Sequence, residues 1–231
     1  MDSMKSDNPA LMSAISPLTN PHRLERPCYL FWNDEFTSRS NARKNHLWTS
    51  PEFPLVAPIA EGERFDSTYY DEDSDGQSDT DDSDMSRDPL DLIGTPNVPI
   101  QATIVVEGKR IPDCDITRSQ LSLSLGLKQN LGLARQDIDN KKRFVFEIYR
   151  CASFIAITFA GPYWSFVVCR SNDSCLQWSR PIAAGTGTHN TILDTIFRIA
   201  ESYPENPAAD PRTQPLVDTY LQVGEDYTVM M

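Results

Sequence analysis

The chain has 231 residues, 39% of them apolar, with 21 basic against 33 acidic side chains and five cysteines. That length supports one core and falls short of two full-sized domains, since chains divide at roughly 100 to 200 residues per domain. The longest apolar runs, near Ile104 and from Phe154 to Ala160, are far shorter than the roughly 20 residues of a membrane helix, so no membrane span is expected.

The first 17 residues are broken by Asp2, Ser6, Asp7 and Pro9 and lack the apolar run of a secretory signal, so an intracellular location, nucleus or cytoplasm, is expected. Cys28, Cys114, Cys151, Cys169 and Cys175 form no C-x-x-C pair, and no histidine stands at finger spacing; neither a zinc site nor a disulfide framework is indicated. Charge is unevenly placed. Residues 1–90 carry 8 basic and 18 acidic groups, a net charge of −10, whereas residues 91–231 carry 13 and 15, a net of −2.

Residues 1–60 hold seven prolines and a short aromatic cluster, Tyr29, Phe31, Trp32 and Phe36. Because proline removes a donor and blocks helix interiors, only short regular structure is expected there, with the aromatic cluster docked on the main domain or, as the alternative, on a partner. Residues 61–89 contain the run from Asp71 to Asp84, which has nothing apolar to bury and repels itself; a disordered acidic segment is expected, with Ser74, Ser78, Thr80 and Ser83 as phosphorylation candidates. A folded domain is expected over 90–204 and an irregular tail, rich in proline, over 205–231. Residues 1–88 are accordingly expected to be dispensable for folding.

Within the folded part, the β-branched run Thr103–Arg110, bounded by Pro99 and Pro112, predicts a strand. Asp115-Ile116-Thr117 offers helix-capping chemistry. Leu121, Leu123, Leu125 and Leu127 satisfy both strand and helix periodicity, and residues 127–149 predict a helix. Phe154–Phe159 and Trp164–Cys169 about Gly161-Pro162 predict a β-hairpin, and Thr188–Ala200 a helix behind Gly185-Thr186-Gly187. This order fits an α/β fold with a mixed central sheet flanked by helices.

Glu107 and Lys109 stand two apart on the first strand, so both leave one face while Ile104, Val106 and Gly108 take the other. A carboxylate there can hold a divalent cation, and a nearby ammonium can orient water or stabilise charge on a phosphate; an exposed ion pair at a strand end is the structural alternative. Lys128, Arg135, Lys141, Lys142, Arg143 and Arg150 can form a basic helix side able to contact phosphates, or a solvated face balanced by Asp137, Asp139 and Glu147. His189 with Asp194 lacks the nucleophile elbow of a hydrolase and reads as a helix-start histidine. Gly185–Thr188 lacks the lysine of a phosphate-binding loop and reads as an ordinary loop.

Thr95-Pro96-Asn97, then Glu107-Gly108-Lys109, then Gln129 and Gln136 on the helix, then the Gly161-Pro162-Tyr163-Trp164 turn form an ordered set over roughly residues 91–202. In that order the chain resembles the PD-(D/E)XK nuclease-like superfamily, especially its fungal branch with a glutamine-bearing helix and an aromatic hairpin. The resemblance implies a restriction-endonuclease-like core and a metal-dependent endonuclease acting on or binding nucleic acid, DNA included. It places Glu107 and Asn97 as ligands of magnesium or manganese, Lys109 as the catalytic lysine, and Gln136, Arg135 and Lys142 as further contacts. Asn97 departs from the pattern: an amide oxygen stands where the superfamily has a carboxylate, which lowers affinity for a hard cation, and Asp88 and Asp91 are candidate substitutes. The alternative is an inactive scaffold or regulatory protein that engages a protein partner through its acidic segment.

Overall fold

The computed structural model of the chain describes residues 26–41, 103–109 and 120–231. The acidic segment, Asn97, the capping stretch Asp115–Thr117 and the other remaining residues lie outside them. The elements in order are α1 (Arg26–Asn41), β1 (Ile104–Lys109), α2 (Gln120–Tyr149), β2 (Ser153–Ala160), β3 (Tyr163–Arg170), β4 (Ile182–Ala183), α3 (Gly187–Ser202), a 3-10 turn (Pro207–Ala209) and α4 (Thr213–Tyr220). Four strands form a mixed sheet in the order β1-β2-β3-β4, with β1 parallel to β2 and the other pairs antiparallel.

All eight residues of β2 are buried, and so are the six central residues of β3. A strand reads as a continuous apolar run when both faces of its sheet are covered. On one face Ile155, Ile157 and Phe159 stand opposite Val168, Phe166 and Trp164 and pack with residues of α1 and α3. On the other, Phe154, Ala156, Val167 and Cys169 pack with Ile138 and Val145 of α2, while Leu127 and Leu131 of the same helix join Ala160. Helices thus cover both faces of the sheet.

The α2 helix has 30 residues, about 45 Å at 1.5 Å per residue, and spans more than the length of an eight-residue strand. Its buried positions Leu127, Leu131, Ala134, Ile138 and Val145 follow helical spacing. The ambiguous leucines from Leu121 to Leu127 are helical: the stripe formed by Leu123, Leu127 and Leu131 continues into the unambiguous part. Among the described residues no helix is long and apolar enough to cross a membrane.

Two expectations are corrected. In the proline-rich N-terminal region, α1 is a 16-residue helix, and Cys28, Phe31, Trp32, Phe36 and Ser40 are buried at helical spacing. Pro27 does not oppose it, because the N–H groups of a first turn have no intrahelical acceptor to lose. Trp32 is 1% exposed, stacks on Phe159 at 5.2 Å, and donates from Nε1 to the Gly161 carbonyl at 3.0 Å. The docking expected of the aromatic cluster is thus real, but it is docking into the core, so the folded unit does not begin at residue 90.

The segment 205–231 is likewise not irregular. Pro207 opens the 3-10 turn and Pro215 falls in the first turn of α4, both places where a missing donor costs little. Beyond α4 the backbone returns to the sheet edge: Met230 N–H donates to the Pro181 carbonyl at 2.8 Å and Ala183 N–H to the Met230 carbonyl at 2.9 Å.

Gly108 is fixed by the same packing. It lies opposite Phe159, and a Cβ there would sit 2.2 Å from the Phe159 ring, which is itself clamped by Trp32 and Tyr29. Glycine inside a strand marks such close approach. Trp32→Ala is expected to cost about 3–5 kcal/mol and Gly108→Ala about 1–3 kcal/mol in urea unfolding. A chain beginning at Asp88 should lose its cooperative circular-dichroism transition, which would show that α1 is required for the fold.

Candidate functional site

Alternation along β1 aims Glu107 and Lys109 at the face covered by α2, since Val105 packs on the α2 side and Ile104 on the α1 and α3 side. There they meet two residues one helical turn apart on α2, Asp137 and Lys141. Lys109 Nζ lies 3.4 Å from Glu107 Oε1 and 2.6 Å from Asp137 Oδ2, and Lys141 Nζ lies 2.5 Å from Glu107 Oε2. Two carboxylates and two ammonium groups form one chain of contacts, half-buried at the strand–helix junction.

Burial opposes the charge of Lys109, but the hydrogen bond to Asp137 and the fields of Glu107 and Asp137 outweigh it and hold its pKa above the ordinary lysine value. Lys109 is therefore a cation throughout the neutral range. That favours electrostatic stabilisation and orientation over proton abstraction. The Glu107 side chain is 14% exposed, whereas that of Lys141 is 43% exposed and can swing away from it.

Asp137 is the member the sequence pattern did not single out. Its signal was the i, i+4 spacing to Lys141, where Lys141 continues the buried stripe three positions after Ile138 and four before Val145. A charged residue at such a place requires a partner on the facing strand.

A magnesium or manganese ion takes oxygen ligands and commonly holds only one or two carboxylates, the rest being water and phosphate. Here the Lys109 ammonium lies between the Glu107 and Asp137 carboxylates, the place a cation shared by the two would take. Among the described residues no group of three or more His, Cys, Asp or Glu comes together to hold a metal. Asn97, Asp88 and Asp91 lie outside the described residues.

The remaining candidates separate. Arg135 does not lie on a solvated basic side: it turns under the sheet, and Gln136, the next residue round the helix, faces solvent. Lys142 pairs with Asp139 at 2.8 Å, Arg143 with Glu147 at 2.7 Å and Lys128 with Glu225 at 2.8 Å. The described cations of α2 other than Arg135 thus have carboxylate partners, as a balanced face would.

His189 and Asp194 do not form a hydrolytic pair. His189 is 1% exposed, with Nε2 3.0 Å from Glu35 of α1, while Asp194 accepts from Arg39 Nε at 2.9 Å. Thr186 caps α3 by accepting from His189 N–H, so the Gly185–Thr188 stretch is a capped loop. Comparison with models of known protein families, with curated proteins and with solved structures gives no match.

The Glu35 contact has a consequence for pH. Burial raises the carboxyl's pKa, but the His189 hydrogen bond and the Arg39 charge outweigh it and hold Glu35 below its ordinary value of 4.5. A depressed carboxyl contributes stability that is present above the unfolded value and lost as pH falls through the folded one. Melting temperature should therefore fall between about pH 5 and pH 3, and Glu35→Gln should flatten part of that slope.

Proposed function

We propose that the chain is a PD-(D/E)XK nuclease-like protein that acts on nucleic acid through the Glu107–Lys109 pair. The observation that carries this reading is a strand bearing E-x-K that feeds a long helix and then a parallel neighbour strand, with both site residues aimed at that helix beside a second carboxylate, Asp137. A restriction-endonuclease-like core accounts for this order and for the mixed sheet covered by helices on both faces.

In this reading Lys109 faces the scissile phosphate as a fixed cation. Its ammonium is oriented by Asp137 and Glu107, so little reorganisation is required as negative charge builds on the phosphoryl oxygens. Lys141 adds a second, mobile positive charge on the same side. A magnesium or manganese ion held by Glu107 and the weaker donor Asn97 would supply Lewis-acid polarisation and a more acidic water.

A second reading has its own support. Both Glu107 oxygens carry ammonium partners, Lys109 on Oε1 and Lys141 on Oε2, which is the arrangement of a neutralised site. With Asn97 in place of an acid, this favours a scaffold that retains the fold and binds a protein partner through its acidic segment.

The full chain incubated with magnesium or manganese and single- or double-stranded DNA and RNA separates the two. The nuclease reading expects cleavage that falls about 100-fold or more in Glu107→Gln and Lys109→Ala, the scale of losing one charge-stabilising donor. It also expects Lys141→Ala to increase the metal-dependent rise in melting temperature. Cleavage unchanged by both site substitutions would remove the site. No cleavage and no metal-dependent shift, with a protein captured by a peptide of residues 61–88, would leave the scaffold.

A further inference from the structure

We infer that the cavity beside Arg135 is a binding site for a small organic carboxylate. Arg135 leaves α2 for the polar break in the sheet face, where Thr158 and Ser165 share a hydrogen bond of 2.9 Å. Its guanidinium donates from Nε and Nη2 to Ser165 Oγ at 3.4 and 3.1 Å, and from Nη2 to the Ser179 carbonyl at 3.2 Å. Nη1 donates to Gln222 Oε1 at 2.9 Å and to the Tyr227 hydroxyl at 3.3 Å. The rings of Trp178 and Tyr227 lie 5.1 and 5.2 Å from the guanidinium carbon.

These partners satisfy the donors but not the charge. No Asp or Glu among the described residues forms an ion pair with Arg135, whereas Arg39, Arg143 and Arg212 each hold one. Burying a charge without a counter-charge is costly even when its hydrogen bonds are made, and burial accordingly lowers the Arg135 pKa to about 10. A half-buried cation of this kind is a place for an anion to join.

The space for that anion is present. Arg135 borders an open cavity of about 220 Å³ whose walls include Leu176, Trp178 and Leu221 on the apolar side and Gln177 and Gln222 on the polar side. Gln222 lines it, accepting from Nη1 and donating from Nε2 to the Gly224 carbonyl at 3.1 Å. Its Oε1 is a neutral oxygen at the place an anionic oxygen would take. A ligand carboxylate that displaces it replaces a neutral acceptor on the guanidinium with an anionic one.

Three features select a carboxylate over a phosphate. Ser165 and the Ser179 carbonyl already occupy Nε and Nη2, so only Nη1 can change partner. The walls offer apolar surface for a short hydrocarbon or aromatic part. Residues 91–231 carry a net charge of −2, which opposes a dianion more than a monoanion. The site requires neither metal nor nucleic acid and so stands apart from the nuclease reading.

The test uses the full chain with benzoate, butyrate and inorganic phosphate at matched ionic strength against chloride. Expected is a saturable rise in melting temperature with benzoate or butyrate, larger than with phosphate, together with a measurable Kd by calorimetry. Gln222→Glu places a carboxylate on Nη1 from within; it should melt higher than the parent in chloride and bind benzoate at least tenfold more weakly. Absence of a saturable carboxylate effect, an equal or larger effect of phosphate, or undiminished benzoate binding by Gln222→Glu would each overturn the inference.

Discussion

Everything described here follows from the need to cover both faces of the β2–β3 hairpin. Strands buried on two sides cannot be completed by one layer of helices. The long α2 closes one face, and α3 alone leaves Phe159 and Trp164 without sufficient cover on the other. The helix that supplies it, α1, comes from a distant part of the chain, and Trp32 carries the contact by stacking on Phe159 and bonding the hairpin turn. The same ring of Phe159 demands glycine at 108, and Gly108 is the middle residue between Glu107 and Lys109. Core packing thus shapes the strand on which the candidate chemistry sits.

The face beneath α2 is where polar groups enter. Two interruptions of its apolar lining are resolved differently. Near β1, opposite charges meet at partial exposure, where solvent screens them and side chains can exchange partners. Under β3, a single half-buried cation is surrounded by neutral oxygens and aromatic rings, so its charge is screened less than that of an exposed group. The first arrangement is adjustable; the second is rigid and selective about what can approach it.

Most of the α/β order was legible because periodicity is a local property. The hairpin, α3 and the start of β1 follow from runs such as Phe154–Phe159 and from the Gly161-Pro162 turn. Proline density is a compositional signal, whereas its effect depends on position. Pro27 and Pro215 fall in first turns, where the lost N–H had no helical partner. The stripe Cys28, Phe31, Trp32 and Phe36 stands at helical spacing, although its shortness and the prolines around it mask the periodicity. At the candidate site, E-x-K was visible as a pair, whereas Asp137 and Lys141 required knowing which side of α2 turns to β1. Arg135 looked like one more surface cation because burial is not written in local sequence.

The position of α1 also sets an order of assembly. Trp32 precedes its acceptor, Gly161, by 129 residues, and its contact with His189 comes later still. At synthesis rates of roughly 5 to 20 residues per second, α1 waits on the order of ten seconds for the surface it completes. During that interval its indole and phenyl rings are presented to solvent, and the hairpin, once made, presents the complementary rings. Closing so long a loop also slows folding through the entropy of bringing its ends together. A chain built this way keeps its aromatic segments exposed until their distant partners have been made.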